Sequence, residues 1–244
     1  WRNLWRNHRR TLVMLTAIAV GLWGMIWMTA LMRGMVDQMI DSSISTLSGH
    51  IQIHAEGFLD DPSVERSMPP ARDNPALLAL LDSPHVTHWS ERIRVPAVIR
   101  SERDVFGVTL VGINPQQEKG LSFIADSVTE GEYLADAHDS HVLIGRKLLE
   151  RLKTKVGRRI VLMSQDPDNN IAERGFRIGG IFDTDLQATE TSYVFTGIET
   201  ARALLKMGNG VSEISLLGPD YRNLDAFAAD VRTAAGEADT RTWL

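Results

Sequence analysis

The longest run of apolar residues covers positions 11–32 and contains no charged side chain. As a helix of about 1.5 Å per residue it spans about 33 Å, enough to cross a hydrocarbon core of about 30 Å. Its polar residues are threonines, whose hydroxyls can bond the preceding turn. The pattern predicts a transmembrane helix over 11–32. The alternative is a buried helix of a soluble core, but such helices are usually shorter and rarely apolar on all sides.

A basic segment precedes this run. Residues 1–10 contain four arginines, and no acidic residue occurs before Asp37, so the positive-inside rule predicts a cytoplasmic N-terminus. The pattern also predicts an amphipathic segment at the lipid headgroups, anchored by Trp1, Arg2, Trp5, Arg6, Arg9 and Arg10. A cleaved signal peptide is the alternative. Its apolar region would be shorter and would end in a small-residue cleavage site, whereas here a helical pattern follows Arg33.

The helical pattern continues past the membrane. Residues 33–47 carry apolar positions three and four apart, which predicts one stripe on a stalk helix standing about 20 Å above the bilayer. Together with two residues inside the span, the stripe supplies the candidate stalk or substrate contacts: Met28, Met32, Met35, Val36, Met39, Ile40, Ile44 and Leu47. The stripe can pack against another stalk, which would couple the span mechanically to the outer part, or simply against its own domain.

Short strands and helices follow the stalk. Residues 50–55 alternate polar and apolar, as in a half-buried strand, and Asn74 with Pro75 predicts the start of a helix. The next two strands form a predicted hairpin around residues 102–104, in which Pro96 indicates an edge or a bulge. Strand-helix-strand units at both ends of a hairpin-rich middle predict an α+β fold.

Composition narrows the classes of function. Beyond residue 10, 22 basic residues face 31 acidic ones, so we expect no nucleic-acid partner. The chain has no cysteine, which excludes disulfides and thiol chemistry. It begins with Trp1 and stops within a predicted strand, so we expect a piece of a longer protein.

No catalytic or metal-binding constellation is predicted. The sequence lacks the phosphate-binding, dinucleotide-binding, nucleophile-elbow and zinc-protease motifs. Asp166, Asp168 and Asn170 resemble the start of a calcium loop, but Ile171 and Arg177 stand where that loop needs glycine and glutamate. His50, His54, His138 and His141 could in principle bind zinc, yet their spacing favours exposed histidines.

Several phrases, in this order, resemble the permeases of the MacB/LolC/FtsX class of ABC transporters. They are RNLWRNHRRT before the span, SGHIQIH after the stalk, LVGINPQQEK after the first hairpin, HVLIGRKLLERLKTKVGRRIVL, and a closing helix with TRTWL. Each motif alone is loose. Their order along nearly the whole chain carries the resemblance.

The resemblance implies a four-span permease of the bacterial inner membrane, with its main domain in the periplasm. It implies a porter-like α/β subdomain at 48–115 and 197–244, with an inserted β-rich subdomain at 116–196. The permease would pair with a second copy or a paralogue and with a cytoplasmic ABC ATPase. ATP and magnesium would bind that ATPase, so we expect no cofactor on this chain, no enzymatic activity of its own, and mechanical work in the periplasm.

By resemblance, GHIQIH favours the lipoprotein-releasing members, whose first span and stalk help to form the site for an acylated substrate. Met25, Met28, Met32, Met35 and Met39 would suit acyl chains because thioethers adapt to irregular apolar partners. Ordinary lipid and helix contact is the alternative use of these side chains. A periplasmic carrier or adaptor is a further expected partner. An efflux permease, a single-span receptor and a membrane-anchored enzyme are the competing functions.

Overall fold

A computed structural model describes residues 8–43, 49–184, 186–218, 224–236 and 238–242. The chain divides into two units, residues 1–43 and 44–244. Among its described residues, the first unit contains one helix, α1 (His8–Ser43), of 36 residues. The helix predicted over 11–32 is therefore confirmed, and its backbone continues without a break through residues 33–43 of the predicted stalk. Residues 1–7 and 44–48 lie outside the described residues.

The second unit combines ten strands with six short α-helices among the described residues. In chain order these elements are β1 (Ile51–His54), α2 (Pro75–Leu81), β2 (His88–Arg100), β3 (Val105–Ile113), α3 (Pro115–Glu118), β4 (Val128–Gly131), β5 (His141–Gly145), α4 (Arg146–Leu152), β6 (Arg159–Gln165), β7 (Ile171–Phe182), α5 (Gln187–Ser192), β8 (Tyr193–Gly197), α6 (Ile198–Leu205), β9 (Glu213–Leu217), α7 (Asp225–Ala235) and β10 (Asp239–Thr242). The predicted α+β class is confirmed.

Local sequence explains how two of the helices begin. The Asn74 side chain accepts a hydrogen bond from the Leu77 N–H at 3.2 Å, and Pro75 occupies the first turn of α2, as predicted. At the junction of β5 and α4, a Cβ on Gly145 would lie 2.2 Å from the carbonyl oxygen of Glu190. Only glycine permits this close approach between the junction and α5.

The first and last strands of the domain lie side by side. β1 pairs with β10 on one edge and with β9 on the other, antiparallel in both cases. α2 and α7 pack on these strands around a cluster that includes Ile51, Ile53, Ile214 and Leu216. Residues far apart in sequence, near 51 and near 242, therefore meet in one small sheet.

Six other strands form a closed ring of pairings. β2 pairs with β3, β3 with β8, β8 with β5, β5 with β7, β7 with β6, and β6 returns to β2. Closure removes the free edges that a flat sheet would leave. The largest hydrophobic cluster lies on the inner face, with Ile93, Leu110, Ile144, Leu162 and Val194 among its members.

β2 belongs both to the small sheet that contains β1, β9 and β10 and to the six-strand ring. Its residues 88–92 pair with β9 and its residues 98–100 pair with β6, so among the described strands none pairs with 93–97 on that side. Pro96, which cannot donate a backbone hydrogen bond, lies in this gap, as its predicted edge position requires. The Ser164 hydroxyl donates to the Pro96 carbonyl at 2.7 Å. The predicted subdomain boundaries at 115/116 and 196/197 stay a prediction.

A buried cluster of charges lies where β1, β9, β2 and α3 meet. The Arg92 guanidinium, 0% exposed, donates to both oxygens of Glu118 at 2.6 and 3.2 Å and to Glu213 at 3.0 Å. Arg94 forms a further ion pair with Glu213 at 3.2 Å. Burial disfavours the charged form of Arg92, but the two carboxylates outweigh it and raise the pKa of Arg92. Two positive and two negative charges thus compensate one another.

His54 completes this cluster and corrects a prediction. The histidines were expected to be exposed, but His54 is 0% exposed and its Nδ1 lies 4.0 Å from a Glu213 oxygen. Its ring stacks on Phe58 with centroids 5.3 Å apart. Strand alternation places His54 on the polar face, where Phe58 and Glu213 cover its ring.

We expect Arg92→Ala to lower the free energy of unfolding of the outer domain by about 3–5 kcal/mol, because Glu118 and Glu213 would remain buried and unpaired. Urea denaturation of the full chain in detergent micelles measures this change. Arg174→Ala is the matched control, because Arg174 is exposed and contacts the Phe176 ring; its expected effect is at most about 1 kcal/mol. Equal losses in both variants would contradict the assigned role of the cluster.

Stability should also depend on His54 protonation. Burial lowers the pKa of His54 below its ordinary value of about 6.5, and Glu213 only partly offsets this. Below about pH 6.5 the His54 side chain binds more protons in the unfolded chain than in the folded one. The free energy of unfolding therefore falls as the pH decreases, by up to about 1.4 kcal/mol per pH unit. His54→Gln should flatten the slope of stability between about pH 7 and 5.5. The control His85→Gln changes an exposed histidine, and an unchanged slope in His54→Gln would refute the prediction.

Candidate functional site

The side chains of α1 are exposed around its whole circumference over residues 12–36, where the structure describes them. Four consecutive residues, Leu12 to Leu15, each point in a different direction and are 59–66% exposed. The apolar segment Arg9–Val36 is long enough to span a membrane. The hydroxyls of Thr16 and Thr29 donate to the carbonyls of Leu12 and Met25, both at 2.8 Å, as predicted. A helix with this surface is stable in an apolar solvent, so α1 is a candidate membrane span.

The structure describes only some of the predicted contact and anchor residues. Met28, Met32, Met35 and Val36 are exposed on α1, at 52–72%. Met39 and Ile40 belong to α1 by backbone, but their side chains are outside the described part. Arg9 and Arg10 are exposed at the start of the apolar segment. Ile44, Leu47, Trp1, Arg2, Trp5 and Arg6 lie outside the described residues, so the roles of all these positions stay predictions.

The loop that resembles a calcium site forms a turn instead. Asp166 Oδ1 accepts from the backbone N–H groups of Asp168 and Asn170, and its Oδ2 accepts from Lys206 Nζ at 2.9 Å. The hydrogen bond from Lys206 lowers the pKa of Asp166. Both carboxylate oxygens are thus occupied by protein donors, and the loop connects β6 to β7.

The four histidines considered as zinc ligands are not brought together. His50 Nδ1 accepts from the Gly218 N–H at 3.0 Å, and His54 belongs to the buried cluster. His141 Nδ1 lies 2.8 Å from Asp139 Oδ1 at the start of β5, and His138 precedes that strand. No group of three or more metal-ligating side chains occurs within the described ranges.

A row of basic residues crosses three strands outside the ring. Arg159 of β6 lies directly opposite Arg177 of β7, and Arg177 lies beside His141 of β5. All three are exposed. Arg158, directly before β6, and Arg100, the last residue of β2, are also exposed. No sequence pattern predicts this row, because alternation places Arg159 on the outer face of β6 but only the pairing register brings it opposite Arg177.

The comparisons with known proteins agree with this architecture. The family model described as the MacB-like periplasmic core domain matches residues 11–234, which include the span and most of the outer domain. The lipoprotein-releasing system transmembrane protein LolC of Neisseria meningitidis serogroup B is 23% identical over 230 residues. The match covers 90% of this chain and 52% of LolC, so the chain spans about half the length of that curated relative.

Two solved structures share the fold. The extracellular domain of the noncanonic ABC-type transporter YknZ from Gram-positive bacteria matches 80% of this chain and 99% of its own, with a TM-score of 0.55 and 13% identity. The periplasmic region of MacB from Actinobacillus actinomycetemcomitans matches 82% and 90%, with a TM-score of 0.54 and 13% identity. The family match covers far more than half of the residues. The chain therefore belongs to the MacB-like periplasmic core domain family and is part of a permease of the MacB/LolC/FtsX type.

Proposed function

We propose that this chain supplies the first span and the periplasmic domain of an ABC transporter permease that performs mechanical work outside the membrane. A cytoplasmic ATPase on another chain would bind ATP and magnesium and hydrolyse the nucleotide. A second permease copy or a paralogue would complete the assembly. The family membership supports the permease class, and the similarity to LolC favours the release of an acylated lipoprotein from the inner membrane.

The observation that carries this proposal is the continuity of α1. Its 36 residues extend about 54 Å, whereas the hydrocarbon core is about 30 Å thick. A continuous helix transmits displacement along its axis, because every backbone hydrogen bond lies within the segment. The basic residues Arg9 and Arg10 at its start support a cytoplasmic N-terminus, which directs the helix outward into the periplasm.

Substrate contact is proposed for the outward half of α1. Met28, Met32 and Met35 are exposed side chains spaced three and four residues apart, so they share one side of the helix. Flexible thioether side chains fit acyl chains of varied conformation. Met39, Ile40, Ile44 and Leu47 would extend this surface along the stalk.

The first test is ATP hydrolysis by the full-length permease, purified in lipid nanodiscs with the ATPase encoded beside it. We expect a lipoprotein with its acyl chains to stimulate hydrolysis, and the same protein without acyl chains to have no effect. Stimulation by other periplasmic substrates, without an acyl requirement, would instead favour an efflux permease. Failure to co-purify with any ATPase would reject the transporter and favour a single-span receptor.

The contact surface has its own test. We expect the double variant Met32→Ala, Met35→Ala to reduce acyl-dependent stimulation at least about fivefold, because two buried thioether contacts with the acyl chain would be lost. Met14→Ala is the matched control, since Met14 is an equally exposed methionine near the other end of α1. If Met14→Ala and the double variant reduce stimulation alike, the acyl contact at the outward half is wrong.

A further inference from the structure

A row of ionisable side chains crosses four paired strands at one register position. His54 of β1 lies directly opposite Glu213 of β9 on one side and directly opposite Asp239 of β10 on the other. Glu213 in turn lies opposite Arg92 of β2. Directly opposite residues of antiparallel strands place their side chains on the same face, within reach of one another. His54 is therefore held between two carboxylates, one on each neighbouring strand.

The nitrogen of His54 that faces Glu213 has no proton in the neutral ring. His54 Nε2 lies 3.2 Å from Gln52 Oε1, and because an amide oxygen only accepts, Nε2 is the donor and Nδ1 is left as an acceptor. Nδ1 lies 4.0 Å from Glu213 Oε2, and neither atom has a hydrogen-bond partner among the described residues. Two acceptors thus face each other where both side chains are 0% exposed. One proton on Nδ1 would turn them into a donor and an acceptor.

Arg94 occupies the place that a protonated His54 would take. The guanidinium of Arg94 lies 3.2 Å from Glu213 Oε2, whereas Arg92 binds the other oxygen, Oε1, at 3.0 Å. The Arg94 side chain is 23% exposed, in contrast to the fully buried Arg92 side chain. Water can therefore replace Glu213 as the partner of Arg94, but it does not reach Arg92.

The charged groups that face His54 nearly balance one another. The two arginines of β2 and the two glutamates that pair with them sum to zero. A protonated ring would add one positive charge, and Asp239 supplies a negative charge beside it. Asp239 also pairs with Arg241 at 3.1 Å, but both side chains are partly exposed, so solvent screens that pair. The ring also meets the uncharged Phe58 ring and the backbone of Ser212, which favours the charged form.

From this geometry we propose that His54 and Glu213 form a proton-operated switch that exchanges the partners of one buried carboxylate. With a neutral ring, Glu213 Oε2 pairs with Arg94. When Nδ1 takes up a proton from solvent, its N–H donates to Glu213 Oε2 and Arg94 turns out to water. The exchange strengthens the contact of β1 with β9 and weakens that of β9 with β2, where the small sheet meets the ring. It does not depend on the proposed transport function.

An acidic medium is needed to operate the switch. Burial lowers the pKa of His54 below its ordinary value of 6.5, Arg94 lowers it further, and Glu213 and Asp239 offset this only in part. The ring is therefore neutral at about pH 7.5 and takes up its proton below about pH 6.5. The folded chain binds this proton more weakly than the unfolded chain, so the switched form is the less stable one.

The test is an NMR titration of the full chain in detergent micelles, labelled with ¹⁵N at histidine. The signals of His54 are identified by their loss in His54→Gln. We expect His54 to titrate at a lower pH than His85, which is exposed. In the protonated form, the Nδ1 proton of His54 should exchange slowly with water, because it is buried and hydrogen-bonded to a carboxylate.

Two variants change the charge on either side of the ring in opposite directions. We expect Arg94→Gln to raise the midpoint of the His54 titration by about half a pH unit or more, because it removes the competing cation. Asp239→Asn should lower the midpoint, because it removes a negative charge beside the ring. Arg232→Gln and Asp230→Asn are the matched controls at exposed positions of α7 and should leave the midpoint within about 0.2 pH units.

Three results would overturn the proposal. The first is an equal shift of the midpoint in Arg94→Gln and in its control Arg232→Gln, which would indicate general electrostatics. The second is a protonated His54 whose Nδ1 proton exchanges as fast as that of His85, which would indicate that no bond to Glu213 forms. The third is a ring that stays neutral until the chain unfolds. Circular dichroism at each pH and of each variant monitors the fold, so that unfolding is not mistaken for the switch.

Discussion

The outer domain depends on one buried guanidinium. Arg92 joins β2 to α3 through Glu118 and to β9 through Glu213, so a single side chain connects three elements at the junction of the small sheet and the ring. A charge without water is tolerated only where several acceptors surround it, and here the carboxylates supply both acceptors and opposite charge. Hydrophobic contacts are not directional and permit several strand registers, whereas the hydrogen bonds of Arg92 to Glu118 and Glu213 form in only one.

The long helix follows from a different constraint. Consecutive apolar residues of α1 are exposed on every side, so no single packing face explains them. Lipid both accepts such a surface and forces the backbone to satisfy its own hydrogen bonds, which makes a helix the only stable form for this stretch. The same helix continues through Ser43, so it is longer than the hydrocarbon core needs.

The closed ring and the basic row show how strand pairing decides which side chains become neighbours. Closure turns one face of β6 and β7 inward to the main hydrophobic cluster and leaves Arg159 and Arg177 exposed on the other face. On that outer face, the register of β6 and β7 places Arg159 opposite Arg177, which no local preference would select.

The sequence by itself determined the elements with strong local signals. The span 11–32, the hairpin of β2 and β3, the helix capped by Asn74 and the α+β class follow from uninterrupted apolarity, alternation and capping, which act over a few residues. Only the tertiary structure decided the closed ring, the burial of His54, the Arg92 cluster and the basic row. Each of these joins residues that are distant along the chain, such as Arg92 with Glu213 and Arg177 with His141, and depends on strand register, which short-range patterns do not specify.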